Sequence, residues 1–360
     1  MFPFVSGEYW GFSRSRHLVS SEQKRWRIGV IGAGEWGPNH VRNFAALPGA
    51  EVVGVADLRQ ERLTRIKAIQ PGVATFSTAS EMMATAKPEA IVVATPTMTH
   101  FEVVGQALKA GKHVLSEKPL CLTGAEADEL VGLAAERDLR LMVGHVFLFN
   151  PGILKIKELI TTGHMGRVFY LFARRTNLGP IRSDVNAVLD LASHDISIFN
   201  YLLDSVPVEV SAVGKAFLQP GIQDVAVMTL QYPGDVVASI HVSWLDPKKV
   251  REITVVGESR MATWDDMATM GPVTVFDKGV LKKPREYADF GEFQLLAREG
   301  DVTMPKVPRE EPLRMQARAF LEGLDAPEKL RSDGRFAAEV VRVAAAVNES
   351  MSMGGAPVKV

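Results

Sequence analysis

Apolar residues in the first part of the chain come in short unbroken runs, divided by segments of helical period. The runs are Ile28 with Val30 and Ile31, Val52 to Ala56, Val73 to Phe76, Ala90 to Ala94 and His113 to Leu115. Between them Val41, Phe44, Ala45 and Leu47, then Leu63, Ile66, Ala68 and Ile69, then the segment 77–86, then Val103, Ala107 and Leu108 recur near helical spacing. Pro71-Gly72, Pro88 and Gly111 close these helices. Unbroken apolar strands belong to a parallel sheet covered on both faces. Strand and helix in alternation predict a doubly wound α/β sheet with right-handed crossovers over residues 25–147.

From residue 148 onward the pattern changes. A helix is expected over 149–162, apolar at Ile153, Ile156, Leu159 and Ile160 and closed by Gly163, then a strand from Val168 to Arg174. Later strands are expected at Val208–Ala216, Val225–Gln231, Val236–Trp244, Glu252–Val256 and Met261–Trp264, with turns at Pro220-Gly221 and Pro233-Gly234. No helix of crossover length separates them, so this second sheet should be open and mostly antiparallel, in an α+β domain spanning 148–360. Ala187–Leu203 reads as one helix, and two more follow Pro312 and Phe336, while 281–312 has no clear period and suggests a long arm. Trp244 is expected in the core. Residues 1–24 read as a poorly ordered extension without a signal peptide's apolar stretch.

Chemistry concentrates at the strand ends. Directly after the first run comes Gly32-Ala33-Gly34-Glu35-Trp36-Gly37, with glycines in G-x-G-x-x-G spacing at the opening of a helix. Gly32 makes the tight turn, Gly34 lets backbone approach a pyrophosphate, and Gly37 lets helix and strand pack closely. Glu35 and Trp36 lie between them, beside the cofactor. The helix start offers free N–H groups and a positive dipole end to the phosphates. Asp57 ends the second run about 20 residues further on, where an acid can bind both ribose hydroxyls and repel a 2′-phosphate. These residues predict a Rossmann domain that binds NAD, with Arg59 keeping NADP as the alternative. Ligands of such sheets lie beyond the carboxyl ends of the strands, where Thr95, Pro96, His100 and Glu117-Lys118-Pro119 fall.

Lys118 at a strand mouth can serve a reacting oxygen, and burial beside a cofactor lowers its proton affinity. An exposed strand-end lysine is the plainer alternative. Glu117 can accept from a ribose hydroxyl. Asp190 and His194 stand four apart on a helix and share a face, so the carboxylate can orient the imidazole and raise its proton affinity. His194 is then expected to take a substrate hydroxyl proton while Lys118 stabilises the alkoxide. A surface ion pair and a metal site are the alternatives, although no third ligand lies near in sequence. In the polar stretch 177–186, Arg182 can offer a fork to a carboxylate or phosphate, and Asn177, Asp184 and Asn186 suit sugar hydroxyls or an amide. A surface loop with internal turn bonds is the alternative there. His113, His145 and His164 are read as structural, and nothing beside Cys121 suggests an activated thiolate.

Bulk properties narrow the function classes. The 360 residues suit two domains, and 41 Lys and Arg against 42 Asp and Glu leave a formal charge of −1. That balance gives no footprint for nucleic acid or an acidic membrane. No apolar run approaches the ~18 residues of a membrane span. The single cysteine excludes an internal disulfide framework and fits the cytoplasm.

Taken in order, the glycine triplet, Ala94-Thr95-Pro96 with His100, and Glu117-Lys118-Pro119 resemble the glucose–fructose oxidoreductase and inositol dehydrogenase family, Gfo/Idh/MocA. Gly144-His145-Val146-Phe147 with Asn150-Pro151 is similar to its domain junction, and Asp190 with His194 to its Asp-x-x-x-His motif. The resemblance runs from about Arg27 to the C-terminus. Thr176 to Asn186, followed by Asp190 to Asp195, resembles a narrower group that oxidises the 3-hydroxyl of UDP-linked N-acetylated sugars or their uronic acids. It implies an NAD-dependent hydride transfer from a sugar hydroxyl, an open second sheet whose free face makes oligomer contacts, and a homodimer or homotetramer. A dehydrogenase of free cyclitols or monosaccharides is the alternative within enzymes. From another class comes a non-catalytic dinucleotide sensor, against which the retained Lys118, Asp190 and His194 argue.

Overall fold

The computed structural model describes residues 24–280, 297–298 and 300–360. The expected N-terminal extension, apart from Lys24, and most of the expected arm therefore lie outside the described residues. Six parallel strands form the first sheet: β1 (Trp26–Ile31), β2 (Ala50–Ala56), β3 (Ala74–Phe76), β4 (Ala90–Val93), β5 (His113–Glu117) and β6 (Leu141–Gly144). Their order is β3-β2-β1-β4-β5-β6, the arrangement of a dinucleotide-binding Rossmann sheet. Helices α1 (Gly37–Ala45), α2 (Gln60–Ile69), α3 (Ala79–Ala86), α4 (His100–Lys109) and α5 (Gly124–Glu136) make the crossovers. Every residue of β4 and β6 is buried, as strands covered on both faces must be. The apolar pattern did not anticipate α5 and β6. The start of α5 was nevertheless written in a capping box, in which Thr123 accepts from the Glu126 backbone and Glu126 reaches back to Thr123.

The chain then passes through α6 (Pro151–Thr161) into β7 (Val168–Thr176), α7 (Ser193–Leu203), β8 (Glu209–Lys215), β9 (Val225–Tyr232) and β10 (Val236–Ser243). It continues with β11 (Val250–Gly257), β12 (Met261–Asp265), β13 (Val273–Phe276), a two-residue ribbon of β14 (Gly279–Val280) and β15 (Ala297–Arg298), and β16 (Val302–Thr303). Helices α8 (Pro312–Asp325) and α9 (Gly334–Ser352) and the closing strand β17 (Val358–Lys359) complete it. The second sheet runs β16-β13-β12-β11-β7-β10-β9-β8-β17. All its pairings are antiparallel except β7 with β10, which become neighbours only after the chain has passed through α7, β8 and β9.

The helix expected from Ala187 to Leu203 is two segments. A π turn over Val188–Ala192 precedes α7, a feature that often marks a functional site. One face of the second sheet leaves Tyr170, Phe172, Val227 and Val237 exposed. The other packs into a core containing Leu171, Ile240, Ile253 and Trp264. That core is continuous with one side of the Rossmann sheet through Leu148, Phe149 and Phe320.

Candidate active site

The glycine loop joins β1 to α1 and has room where a dinucleotide needs it. Gly32 has φ +95°, and a Cβ there would stand 2.5 Å from the Ala94 carbonyl oxygen. On Gly37 a Cβ would collide with the Gly32 carbonyl, so helix and loop meet only through glycine. On Gly34 it would meet nothing nearer than the Arg62 guanidinium at 3.7 Å, which leaves that backbone open to approach. Asp57 stands at the end of β2 as expected. Its carboxylate accepts from Ala33 N at 2.7 Å and Arg59 N at 2.8 Å, so this acid is braced against the loop itself. The cation beside it is Arg62, 3.4 Å away, rather than the side chain of Arg59. Glu35, Trp36 and Pro96 are exposed around this cradle and Thr95 is half-buried. These residues fit a bound NAD: a bare glycine approach, a helix N-terminus and an acid at the ribose position.

His100 does something other than face the cofactor. Its ring is buried, with Nδ1 2.7 Å from the Pro119 carbonyl and Nε2 2.9 Å from the Thr95 carbonyl. It is a strut between the ends of β4 and β5 and leaves no ring nitrogen for a ligand. Glu117 closes β5, and its Oε1 lies 2.7 Å from His40 Nε2. His40 is a partner that sequence spacing did not single out.

Lys118 follows, joined to Pro119 by a cis peptide bond. Its Nζ donates to the backbone carbonyl of Asp190 at 2.6 Å and stands 3.5 Å from that residue's carboxylate. Burial lowers the proton affinity of the ammonium, while Asp190 pulls the other way. Burial alone would push the Asp190 carboxyl up, but Lys118, Arg182 and the Trp244 indole hold it below its usual range. Trp244 Nε1 donates to Asp190 Oδ2 at 3.1 Å, so this core tryptophan also steadies the site.

Here two expectations need correction. Asp190 does not hold His194, because its carboxylate is taken up by Lys118, Arg182 and Trp244. His194 instead has Nδ1 buried with no hydrogen-bond partner among the described residues, while the side chain as a whole is half-buried, which leaves Nε2 as the nitrogen that can meet a ligand. Burial first, then Lys118, Arg175, His145 and Arg251, drive its proton affinity well below that of an ordinary histidine. The second correction concerns the 177–186 loop. The Arg182 fork is already engaged: Nε and Nη2 donate to Asp184 at 2.9 and 2.6 Å, Nη1 to Asp190 at 3.2 Å, and Nη2 also to Thr97 at 3.3 Å. Arg182 therefore ties the loop to the end of β4 and to the π turn rather than holding out a free fork. Asn186 is likewise engaged, bonding Gln223, Asn348 and the Leu189 backbone N–H at the head of the π turn. Asn177 and Asp184 are partly exposed on the same loop.

His145, read as structural, is fully buried, and burial together with Lys118 pushes it down to about 3. A cleft of about 320 Å³ opens between Trp36 and Asn39 of the first domain and Phe147, Asn150, Arg251 and Asp266. Phe147 is shared between that cleft and His194, whose ring it meets edge-on at 4.9 Å. Among the described residues no group of three or more His, Cys, Asp and Glu side chains is placed to hold a metal ion, and no helix is long and apolar enough to cross a membrane.

Comparison with known proteins agrees with this geometry. Residues 26–145 match an oxidoreductase family model with an NAD-binding Rossmann fold, and residues 153–263 match the GFO/IDH/MocA C-terminal domain. The chain is 32% identical over 242 residues to a UDP-N-acetylglucosamine 3-dehydrogenase of Acidithiobacillus ferrooxidans, covering 66% of this chain and 74% of that protein. It is 29% identical over 216 residues to a myo-inositol 2-dehydrogenase of Thermotoga maritima, covering 57% of this chain and 65% of that one. A solved structure of UDP-N-acetylglucosamine 3-dehydrogenase from A. ferrooxidans superposes with a TM-score of 0.76 at 27% identity, covering 91% of this chain and 98% of that one. The chain belongs to the Gfo/Idh/MocA family, as an NAD-binding oxidoreductase that acts on the CH–OH groups of sugar-type substrates.

Proposed function

We propose that the protein oxidises a secondary hydroxyl of a UDP-linked N-acetylated sugar or its uronic acid, at C3, and passes the hydride to NAD. The observation that carries the reading is the placement of Lys118 on Asp190 and close enough to His194 to act on its charge, beyond the carboxyl ends of the Rossmann strands. The likeness to UDP-N-acetylglucosamine 3-dehydrogenase supports the substrate class. NAD, when bound, supplies the hydride acceptor.

Everything else in the reaction falls to the protein. Burial gives Lys118 an amine that sheds its proton more readily than a surface lysine, so it can take the hydroxyl proton as the carbonyl forms. The Asp190 carbonyl fixes Nζ in place, and the Asp190 carboxylate stabilises the ammonium produced. His194 presents Nε2 to the same oxygen. Arg182, through Thr97 and Asp184, holds the loop over the site. The engaged fork of Arg182 favours a second reading in which the substrate is a free cyclitol or monosaccharide with no diphosphate to bind. For the assembly, we place the contact of a homodimer or homotetramer on the uncovered sheet face around Tyr170 and Phe172, which native mass spectrometry would check.

The test is absorbance at the reduced-nicotinamide band on adding NAD and a panel of UDP-linked amino sugars and uronates, with inositols and monosaccharides in parallel. Reduction with a UDP-sugar is the expected result. Reduction only with unlinked polyols would transfer the assignment to the second reading, and none with either would sink both.

A further inference from the structure

The surroundings of His194 contain a device that the reaction outlined above leaves unexplained. Phe147 stands edge-on to the imidazole, with ring centroids 4.9 Å apart and planes at 80°. On Phe147 lies the guanidinium of Arg175, its carbon 4.3 Å from the ring centroid. Arg175 in turn gives Nε and Nη2 to the two carboxylate oxygens of Asp195 at 2.9 and 2.7 Å. Asp195 follows His194 directly in α7. Arg175 and Asp195 are 2% and 1% exposed, so this is a buried bidentate pair with a phenyl ring between its cation and the imidazole.

Four charged or titratable groups on other elements act most strongly on His194: Lys118 after β5, His145 after β6, Arg175 on β7 and Arg251 on β11. The carboxylates nearby are committed elsewhere, Asp195 to Arg175 and Asp190 to Lys118. In that field a lone pair on the buried Nδ1 is favoured. An N–H there would lack an acceptor, and a positive ring would add a further cation. The proton of a neutral ring then sits on Nε2. A buried, uncompensated arginine would be costly, which accounts for Asp195 at its back.

We propose that Arg175 and Asp195, acting through Phe147, are positioning residues that keep His194 a neutral Nε2–H donor toward the reacting oxygen. The inference rests on the dehydrogenase reading and assigns His194 a role within it. As the C–H and O–H bonds of the alcohol break, the hydride leaves for NAD and the proton goes to Lys118. His194 keeps its own proton and hydrogen-bonds the oxygen from alcohol to carbonyl.

The experiment is nitrogen-15 NMR of the histidines in the full-length protein with NAD bound, across a pH series, beside the pH profile of kcat/KM. Wild type is expected to show His194 as the Nε2–H tautomer, with no titration in the usual histidine range near ~6.5. The variants are Phe147→Leu and the double change Arg175→Met with Asp195→Leu, which leaves no lone buried charge. Both should move the His194 titration upward by about one pH unit and lower kcat/KM about tenfold on the acid side, with the alkaline plateau kept. Should the double variant not fold, Phe147→Leu reads the same shift and the wild-type tautomer needs no variant. An Nδ1–H or doubly protonated His194 in wild type would overturn the proposal. So would an equal loss at every pH with the titration unmoved, which is the mark of a merely structural pair. Because the tautomer is read without substrate, the proposal can be judged even if no sugar reduces NAD.

Discussion

Lys118 and His194 border the same space and both are deprived of water, yet they keep opposite company. Lys118 has a carboxylate and a carbonyl from Asp190. His194 has arginines, a lysine and an apolar ring, while the nearby carboxylates of Asp190 and Asp195 are paired with other groups. The difference teaches that burial lowers the proton affinity of both nitrogens but leaves only one of them a stabilised charged form. A group that must carry a proton away needs such a form, and a group that must stay neutral is better without it. The division of labour proposed for the site rests on Asp190 accompanying Lys118 and not His194.

The sharpest test of that contrast is to remove each side in turn. Lys118→Met is expected to lower kcat about a thousandfold while NAD binding, followed by quenching of tryptophan fluorescence, stays near wild type. His194→Ala should cost about a hundredfold, and His194→Gln, which restores a side-chain N–H donor, should recover part of the loss. Equal losses for Lys118→Met and His194→Ala, with no recovery by glutamine, would erase the distinction.

Asp190→Asn comes next, at about tenfold to a hundredfold in kcat. Its pH signature matters more than its size. Asp190 raises the proton affinity of Lys118, so without the carboxylate Lys118 loses its proton at lower pH. Activity that rises as Lys118 deprotonates should then begin its rise at lower pH and reach a lower ceiling. A rise displaced to higher pH would count against Lys118 as the proton acceptor. Arg182→Met should raise KM about tenfold with a smaller change in kcat, because it releases the loop from Thr97 and Asp184 without touching Nζ.

The smallest effect is expected at Glu311, on the lining of the cleft. Glu311 receives Arg42 at 3.0 and 2.6 Å and Asn43 at 3.0 Å, chiefly the Arg42 bond holding its carboxyl down to about 2. Its contribution to stability is present above the usual carboxylate range and is lost as the pH falls toward 2. The contact is largely solvent-exposed, so Glu311→Gln should cost only ~0.5 kcal/mol in denaturant unfolding at neutral pH. Activity should be unchanged.

Legibility followed the range of the interactions. The glycine loop, Asp57 and Lys118 could be read because each sits at a fixed offset from a strand end, and the backbone alone puts them in place. The helix α5 carried its signal in Thr123 and Glu126, but β6 is only four residues long and offers little pattern. What could not be read was partnership. Asp190 and His194 have the spacing of a helical pair, yet the acid turned to a lysine 72 residues earlier in the chain and a tryptophan 54 residues later. Arg182 found its carboxylate two residues away, in Asp184. Spacing alone does not tell such an internal bond from a fork held out to a ligand. His40 matters through what it touches, and no local sequence feature marks it; Phe147 is marked in the sequence as part of the junction motif, but not its contact with His194.

Helix α9 has an implication for how the molecule is made. Its Ala337, Ala338 and Val341 belong to the core on the α5 side of the Rossmann sheet. Val340, Val343, Ala344 and Val347, on the same helix, belong to the core shared with the second sheet. After it, Val358 and Lys359 pair along the edge of β8. Neither half of the protein is finished until α9 and β17 have been made, so a nascent chain stalled before Gly334 would present two incomplete cores to chaperones at once. The same stitch should make melting a single cooperative event rather than two in calorimetry, and a nick in α9 should loosen both halves together.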